Sequence, residues 1–383
     1  MVDSTFNQSI FEKFKISNLK IVDHLSYWQY LSLNECKLKG LYPQGVFLEP
    51  NAGFRLGSRR MLLGTVFHEM IKEVSKVVKV NGAITSKDIK EISSRVLAGI
   101  ENKANDDISL RKARDISSWP ESGLLLKALE NVSNQGGSNR TGNLKVISEE
   151  KVVSKRHNVV GKPDLVIVGK DYITLIDYKF GEIEHASSEV VEKYENQLQL
   201  YSILLKEKYG NLPVYAFLID KNGRRKEVHM NQTVGMDIVY NMNVQLDEIN
   251  RLIDASNRDY EKIATPSSSS CGYCRLTPWC SEFKKNMKDI ELPKRNHIIF
   301  GWQESNIVNT RRAGTILKVR PQLSSFSNQN GVISITRVNL DWFPLFKDIP
   351  GQPLIVTNLK ADTMASSSTV TFETEIFSFG EEC

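Results

Sequence analysis

The chain has 383 residues, of which 40% are hydrophobic and 25% charged, so it has the composition of a globular protein with one large and one smaller domain. Its net charge of +5 is compatible with a polyanionic partner but does not demonstrate one. Apolar runs fall short of the roughly 18 residues that span a bilayer, and the first residues lack the apolar core of a secretory signal. We therefore expect a cytoplasmic protein with no membrane partner.

The first 132 residues are expected to be mainly helical. Aromatic residues and leucines in segment 16–42 suggest a helix that ends near Cys36. The apolar stripe of residues 64–79 predicts an amphipathic helix with His68 on its first turns. Two or three further helices are expected over residues 86–132.

A loop over residues 43–60 is predicted to separate the first two helices. It ends in a basic group, Arg55, Arg59 and Arg60. These arginines either track the phosphates of a nucleic acid or face solvent, and the sequence leaves both interpretations open.

A β-hairpin is predicted near the middle of the chain. Two short apolar runs, Leu165–Val168 and Tyr172–Ile176, are joined by Gly169-Lys170-Asp171, which is typical of a hairpin turn. A strand over 145–153 precedes the hairpin. The chain around the hairpin therefore combines strands with the helices predicted above.

Three charged residues lie at one end of this hairpin. Asp164 precedes the first run, and Asp177 and Lys179 close the second, on the same face of the strand with Tyr178 opposite. Two carboxylates and an ammonium group at one place suit a divalent cation such as Mg²⁺ and an activated water. The Asp-x-Lys pattern alone is also common at ordinary charged strand ends.

The elements that flank the hairpin carry further candidate site residues. A helix over 190–209 presents Gln197 and Tyr201, which either line the site or cap the core. Glu149 and Glu150, on the strand before the hairpin, either lie beside the site or form a solvated face, and the solvated face is favoured. A second hairpin around Asn222-Gly223 and a helix over roughly 234–255 follow, and they complete the predicted α/β core.

The character of the chain changes beyond Pro293, where β-rich runs are separated by Gly, Asn, Pro and Ser. These runs predict a small all-β domain over residues 295–383, with a five-stranded OB-like barrel. The runs are Ala313–Arg320, Val332–Val338, Leu354–Leu359 and Thr369–Phe377. Six Arg and Lys residues against one Glu between Arg295 and Arg337 suit a groove for a nucleic-acid backbone or the rim of a protein-binding module.

Four cysteines are candidate ligands of a metal. Cys271, Cys274 and Cys280 have the compact spacing C-x2-C-x5-C, and Cys36 lies far upstream. Four thiolates can hold either zinc or an iron–sulfur cluster, and the spacing does not distinguish them. Cys383, at the end of the sequence, is not expected to take part.

The order of these motifs resembles the RecB-type branch of the PD-(D/E)xK nuclease superfamily. It is most similar to members with a cysteine-bound iron–sulfur cluster, the AddB nuclease domain and the CRISPR-associated RecB-like exonucleases. The matching motifs are Gly-x-x-x-His (Gly64–His68), Gly-x-x-Asp (Gly161–Asp164), Asp-Tyr-Lys (Asp177–Lys179), Gln-x-x-x-Tyr (Gln197–Tyr201) and the cysteine pattern. The resemblance covers roughly residues 20–285, which we take as part of a nuclease domain over residues 1–294. It implies an α/β fold with a restriction-endonuclease-like core, a mixed central sheet flanked by helices.

The resemblance implies a metal-dependent deoxyribonuclease that acts on single-stranded DNA or duplex ends in repair, recombination or anti-phage defence, with a helicase or defence protein as a possible partner. It further implies that His68, Asp164, Asp177 and the backbone carbonyl of Tyr178 bind Mg²⁺ or Mn²⁺. Lys179 would position or activate the attacking water, and Gln197 and Tyr201 would line the site. Cys36, Cys271, Cys274 and Cys280 would hold a 4Fe-4S cluster, with zinc as the alternative.

A rival hypothesis gives the chain no enzymatic role. In it the nuclease fold is a scaffold for nucleic-acid binding or partner docking, as the predicted accessory β domain would allow. The complete set His68, Asp164, Asp177 and Lys179 argues against this hypothesis, because a scaffold does not require these residues.

Overall fold

The structure is a computed structural model that divides into two compact units. The α/β unit comprises Val22–Tyr30 and Gly57–Glu248, and the C-terminal unit comprises Met1–Ile21, Leu31–Leu56 and Ile249–Cys383. The structure describes residues 19, 21–41, 59–81, 84–106, 108–135, 145–180, 183–184, 190–256, 260–272, 274, 276–287, 289–292, 297–311, 314–325, 331–340, 343, 346, 348–361, 367–370 and 374–378. The division into domains 1–294 and 295–383 stays a prediction.

Helices dominate the first part of the α/β unit, as predicted. The helices of the described chain are α1 (Tyr27–Glu35), α2 (Lys37–Leu41), α3 (Arg59–Asn81), α4 (Ser86–Asp106), α5 (Pro120–Gln135), α6 (Glu192–Tyr209), α7 (Gln232–Ala255), α8 (Ser268–Cys271) and α9 (Ser281–Asn286). Pro120 opens α5, where its fixed φ and missing N–H suit a first helical position.

Helix α3 begins five residues earlier than its apolar stripe indicated, so Arg59 is helical and not part of a loop. Its guanidinium lies 2.7 Å from a carboxylate oxygen of Glu121 and 4.5 Å from the ring centre of Trp119. Both contacts hold α3 against the start of α5. They give Arg59 a structural role that requires no contact with a nucleic-acid phosphate. Arg55 lies outside the described residues.

The strands of the α/β unit form a mixed five-stranded sheet, with the order β2-β5-β6-β7-β8, and a small sheet, with the order β1-β4-β3. The strands are β1 (Leu25–Ser26), β2 (Lys145–Ser148), β3 (Val152–Ser154), β4 (Val159–Gly161), β5 (Leu165–Val168), β6 (Ile173–Lys179), β7 (Val214–Asp220) and β8 (Arg225–Val228). Strands β6 and β7 are parallel, and the other neighbours in the large sheet are antiparallel. The predicted α/β fold with a mixed central sheet is confirmed.

The central hairpin forms as predicted. Strands β5 and β6 pair from Leu165 opposite Ile176 to Val168 opposite Ile173. The Gly169 N–H donates to the Tyr172 carbonyl at 2.9 Å and closes the turn. Since β6 continues to Lys179, the Asp-x-Lys segment lies within a strand and inherits its alternation.

The strand predicted over 145–153 is wrong as a single element. Glu149 has a φ of 56°, which is left-handed and ends β2. The chain resumes as β3 in the small sheet. The segment 145–153 contains no glycine, proline or asparagine, so the sequence gave no sign of the change of sheet.

Helix α6 packs against β3, β4, β6 and β7. All side chains from Gln197 to Leu205 are buried, because this helix has strands on more than one side. Its first turns are thereby fixed beside the end of β6.

The C-terminal unit contains a β-barrel. Its strands are β9 (His297–Gln303), β10 (Val308–Thr310), β11 (Gly314–Ser324), β12 (Ile333–Thr336), β13 (Pro353–Ala361), β14 (Ser367–Thr369) and β15 (Glu375–Ser378). Strand β9 pairs with both β11 and β13, while β12 and β14 link the same two strands from the other side. The pairing closes a five-stranded ring, in agreement with the predicted five-stranded barrel, and β10 and β15 are added to it.

The barrel has its own apolar core. The core residues are Ile299, Leu317, Val319, Ile333, Ile335, Val338, Phe343, Leu354, Val356, Leu359 and Ile376. Strands β9 and β10 were not among the predicted β-rich runs, and the run predicted over 369–377 is divided between β14 and β15. On the basic side of the barrel, Arg320 pairs with Glu304 at 2.6 Å.

Within the described residues, none of the helices combines the length and apolarity needed to span a bilayer.

Candidate active site

One open cleft of about 440 Å³ in the α/β unit is lined by six of the predicted site residues. Helix α3 contributes a residue from its third turn, and β6 and the segment before β5 contribute the hairpin residues. Helix α6 contributes one residue from its second turn and one from its third. These residues are His68, Asp164, Asp177, Lys179, Gln197 and Tyr201.

Asp164 connects the two strands of the hairpin to the helix that carries His68. Its Oδ2 accepts a hydrogen bond of 2.7 Å from the backbone N–H of Tyr178. Its Oδ1 lies 3.2 Å from Nδ1 of His68, and a second carboxylate oxygen, Oε1 of Glu149, lies 3.4 Å from the same nitrogen. Neither approach to Nδ1 has the alignment of a hydrogen bond. A buried imidazole nitrogen therefore faces two carboxylates without a hydrogen-bonding partner.

Glu149 lies beside His68, which is the alternative that the sequence interpretation considered but did not favour. Its side chain is only 15% exposed, so the solvated face that was favoured for it is wrong. The left-handed backbone at this residue turns the chain out of β2 and brings the carboxylate to His68 and to the ammonium of Lys162. Its neighbour Glu150 is exposed and pairs with Lys208. Only the positive φ distinguishes the two glutamates, and sequence periodicity does not report it.

The imidazole and the two carboxylates have the composition of a site for a hard cation. In the part of the chain that the structure describes, three side chains have candidate ligand atoms that all lie within 4.8 Å of one another: His68, Glu149 and Asp164. Burial opposes protonation of His68, but the facing carboxylates outweigh it and raise its pKa to about 10. The protonated imidazole thus supplies the positive charge that a bound cation would supply next to these carboxylates.

Asp177 and Lys179 form a second charged pair in the same cleft. Lys179 Nζ lies 2.5 Å from Asp177 Oδ2. Burial raises the pKa of Asp177 to about 6, despite the attraction of Lys179. Burial lowers the pKa of Lys179, but the charges of Asp177 and Asp164 raise it by more than burial lowers it. The net shift of this pKa is upward, so the side chain is an ammonium at neutral pH.

A chain of hydrogen bonds links Lys179 to helix α6. Lys179 Nζ donates to Gln197 Oε1 at 2.9 Å, and Gln197 Nε2 donates to the Tyr201 hydroxyl at 2.8 Å. Gly161 permits this arrangement, because a Cβ at that position would lie 2.6 Å from Cε1 of Tyr201. Gln197 and Tyr201 therefore hold the ammonium in place and do more than cap the core.

The Tyr178 side chain is not part of the cleft. Its ring is 4% exposed and packs edge-on against Phe67, with the centroids 6.3 Å apart. This agrees with the expectation that it lies opposite Asp177 and Lys179. Binding of a metal by its backbone carbonyl stays a prediction.

The four predicted cysteine ligands line a narrow cavity of about 20 Å³ in the C-terminal unit. The residues, all buried with free thiols, are Cys36, Cys271, Cys274 and Cys280. Backbone N–H groups of Thr265 and Phe283 donate to the sulfurs of Cys36 and Cys280, at 3.4 and 3.3 Å. Burial raises the pKa of the Cys280 thiol to about 12. Burial also raises the pKa of the Cys271 thiol. Cys383 lies outside the described residues.

Comparisons with known proteins agree with the geometry of the cleft. The model of the PD-(D/E)XK nuclease superfamily matches residues 24–281. An ATP-dependent helicase/nuclease protein from Streptococcus equi subsp. zooepidemicus is 25% identical over 166 residues, 43% of this chain and 13% of that protein. Its counterpart from Streptococcus thermophilus is 26% identical over 195 residues, 50% of this chain and 15% of that protein.

A crystal structure of a protein from Eubacterium rectale, described provisionally as an exonuclease, covers 67% of this chain and 87% of its own, with 9% identity and a TM-score of 0.33. This score is too low to carry an argument. The chain matches only 13% to 15% of the length of the streptococcal relatives. Membership of the branch with an iron–sulfur cluster stays a prediction. The superfamily is confirmed, because its model covers more than half of the sequence. The chain therefore belongs to the PD-(D/E)XK nuclease superfamily.

Proposed function

We propose that this chain is a deoxyribonuclease that hydrolyses phosphodiester bonds with Mg²⁺ or Mn²⁺ in the cleft of the α/β unit. The observation that carries the proposal is the buried Nδ1 of His68, which faces carboxylate oxygens of Asp164 and Glu149 without a hydrogen-bonding partner. Without a metal, the proton on His68 compensates the charge of these carboxylates, and a divalent cation bound to the same oxygen and nitrogen atoms would replace that proton.

His68, Asp164 and Glu149 would hold the cation. Asp177 would join them with its buried Oδ2, which contacts the Lys179 ammonium without the alignment of a hydrogen bond. A divalent cation bound there supplies Lewis-acid activation of water and neutralises charge on the scissile phosphate. The Tyr178 carbonyl is a further candidate ligand, since it lies between Asp177 and Lys179 in β6.

Lys179 would act as a fixed cation and not as a proton acceptor, since its pKa is raised. Asp177 and Gln197 hold its ammonium at the wall of the cleft. From this position it can orient the attacking water and stabilise negative charge that develops on the phosphate. Tyr201 would contribute by fixing Gln197 and not by a proton transfer, because burial raises the pKa of its hydroxyl.

The four cysteines would hold an iron–sulfur cluster. All four cysteines line one cavity, as a shared metal site requires. The resemblance to relatives with a cysteine-bound cluster favours iron over zinc, which four thiolates could also hold. The N–H groups that donate to sulfur would stabilise bound thiolates.

The biological setting is proposed more coarsely. The streptococcal relatives are named as helicase/nuclease proteins, which supports a role beside an ATP-driven helicase in DNA repair, recombination or defence. The barrel, residues 295–383, would be an accessory domain of this nuclease.

Removal and return of the metal test the proposed activity. Protein purified without oxygen and treated with EDTA is expected to leave linear single-stranded and duplex DNA intact. Addition of Mg²⁺ or Mn²⁺ should restore cleavage. Binding of DNA without cleavage under any divalent cation would instead favour the scaffold hypothesis.

A further inference from the structure

A large aromatic side chain that the proposed chemistry does not use lies at the cleft. Trp28, in the first turn of α1, is 44% exposed and lines the same cleft as Asp164, Asp177 and Lys179. Exposed tryptophans are uncommon, since the indole ring gains much from burial. Its exposure beside a charged cleft therefore points to a binding role.

Two tyrosines hold the indole ring in place. Tyr27 is buried, and its ring centroid lies 6.2 Å from that of Trp28. Tyr194, in the first turn of α6, lies edge-on at 6.4 Å, with an angle of 68° between the rings. Both distances are within the range of favourable aromatic pairs. The ring is thus oriented before any ligand arrives, which lowers the entropy lost on binding.

Two ammonium groups flank this aromatic pair. Lys179 Nζ lies 5.8 Å from the ring centre of Trp28 and 4.8 Å from that of Tyr194. Lys193 Nζ lies 6.0 and 5.2 Å from the same two centres. Aromatic faces beside cations match a nucleotide, whose flat base is joined to an anionic phosphate.

We propose that Trp28, braced by Tyr194, stacks on an unpaired nucleobase next to the scissile phosphate, so that the nuclease selects single-stranded DNA. This inference rests on the proposed function for the position of the phosphate at Lys179. Bases in a duplex are stacked on one another and present only their edges, whereas a single strand can offer the face of a base. Trp28 is a positioning residue in this proposal, and Lys193 binds the adjacent phosphate.

The test compares a short oligothymidylate with a base-free oligonucleotide of the same length and charge. Binding is measured by fluorescence anisotropy in Ca²⁺, so that the result does not depend on cleavage. We expect the wild-type protein to prefer the strand with bases about tenfold, as one stacked base implies. Trp28→Ala should lose this preference, and Trp28→Phe should keep most of it.

Trp302 provides the matched control, since it is a similarly exposed tryptophan, at 36%, on strand β9 of the barrel. Trp302→Ala should retain the wild-type preference. An equal preference for bases in the wild type and in Trp28→Ala would overturn the proposal, as would loss of the preference only in Trp302→Ala.

Failure of this inference is separable from failure of the proposed function. If metal-dependent cleavage is observed and the preference for bases survives in Trp28→Ala, the stacking is wrong and the nuclease stands. If the preference depends on Trp28 but no divalent cation supports cleavage, the nuclease is wrong and the stacking site stands.

Discussion

The charged cleft of the α/β unit and the thiol cavity of the C-terminal unit collect similar numbers of potential ligands, but they differ in how the charges are compensated. In the cleft, His68 faces Asp164, and Lys179 pairs with Asp177. The cleft is therefore charged and open, and its side chains compensate one another without a metal. The four thiols are buried around a cavity of about 20 Å³, and Lys39 is a cationic residue that lines the same cavity.

If the proposed metals bind, this difference implies that the two groups would use them for different purposes. A cation in the cleft would displace protons and ammonium contacts that already support the fold, so it could exchange and serve a reaction. Thiols with pKa values raised by burial must lose their protons to bind metal, and the energy of binding then becomes folding energy. We expect changes in the cleft to affect cleavage, and changes in the thiol cavity to affect stability.

The largest expected effect is that of Asp177→Asn, which removes a charge from the cleft and nearly keeps the shape of the side chain. Single-turnover cleavage should fall about 10³-fold or more, because a ligand of the cation and the partner of Lys179 are both altered. The matched control is Asp171→Asn, an exposed residue in the turn of the same hairpin. Cleavage by Asp177→Asn within tenfold of the wild type would remove Asp177 from the site.

Cys271→Ser tests the expectation that changes in the thiol cavity affect stability. It should release iron and lower the thermal midpoint by about 10 °C, as expected when several kcal/mol of metal-coupled folding energy are lost. Calorimetry and iron analysis of anaerobic protein provide the measurement, with Cys383→Ser as the control. A colourless wild-type protein with stoichiometric zinc would end the iron–sulfur proposal.

The metal-free cleft should also make stability depend on pH. The pKa of Asp177 is raised to about 6 by burial, so its contribution is fully present below pH 4 and is lost as the pH rises through 6. The shift corresponds to roughly 3 kcal/mol. Urea unfolding in EDTA at several pH values should show this loss in the wild type and not in Asp177→Asn. A difference in stability between the two proteins that does not change with pH would contradict the assignment.

Glu149→Gln is expected to have the smallest of these effects. The Mn²⁺ concentration that gives half-maximal cleavage should rise about tenfold, because one of several anionic groups around the cation is lost. Glu150→Gln is an unusually close control, since the adjacent side chain is exposed and pairs with Lys208. Equal responses of the two variants would show that Glu149 is not a ligand.

The parts that the sequence predicts correctly depend on local patterns. The hairpin, its turn at Gly169 and the common side of Asp177 and Lys179 follow from strand alternation, and Gln197 and Tyr201 follow from helical spacing. The five-stranded barrel was also foreseen, although β9 and β10 were not singled out.

The parts that it misses depend on one backbone angle or on contacts between distant segments. The positive φ of Glu149 divides a predicted strand and places that carboxylate beside His68. Trp28 reaches the cleft only because α1 and α6 bring it beside Tyr194. Neither feature leaves a periodic signal in the sequence.

The most direct test of the proposed active site is the single-turnover cleavage rate of a labelled DNA strand in Mg²⁺ by Lys179→Ala and by Lys170→Ala. Both variants remove one ammonium from the same hairpin, but Lys170 is exposed in the turn, whereas Lys179 lies in the cleft. We expect Lys179→Ala to lose about 10³-fold and Lys170→Ala to match the wild type. Cleavage by Lys179→Ala at the rate of Lys170→Ala would contradict a catalytic site in this cleft.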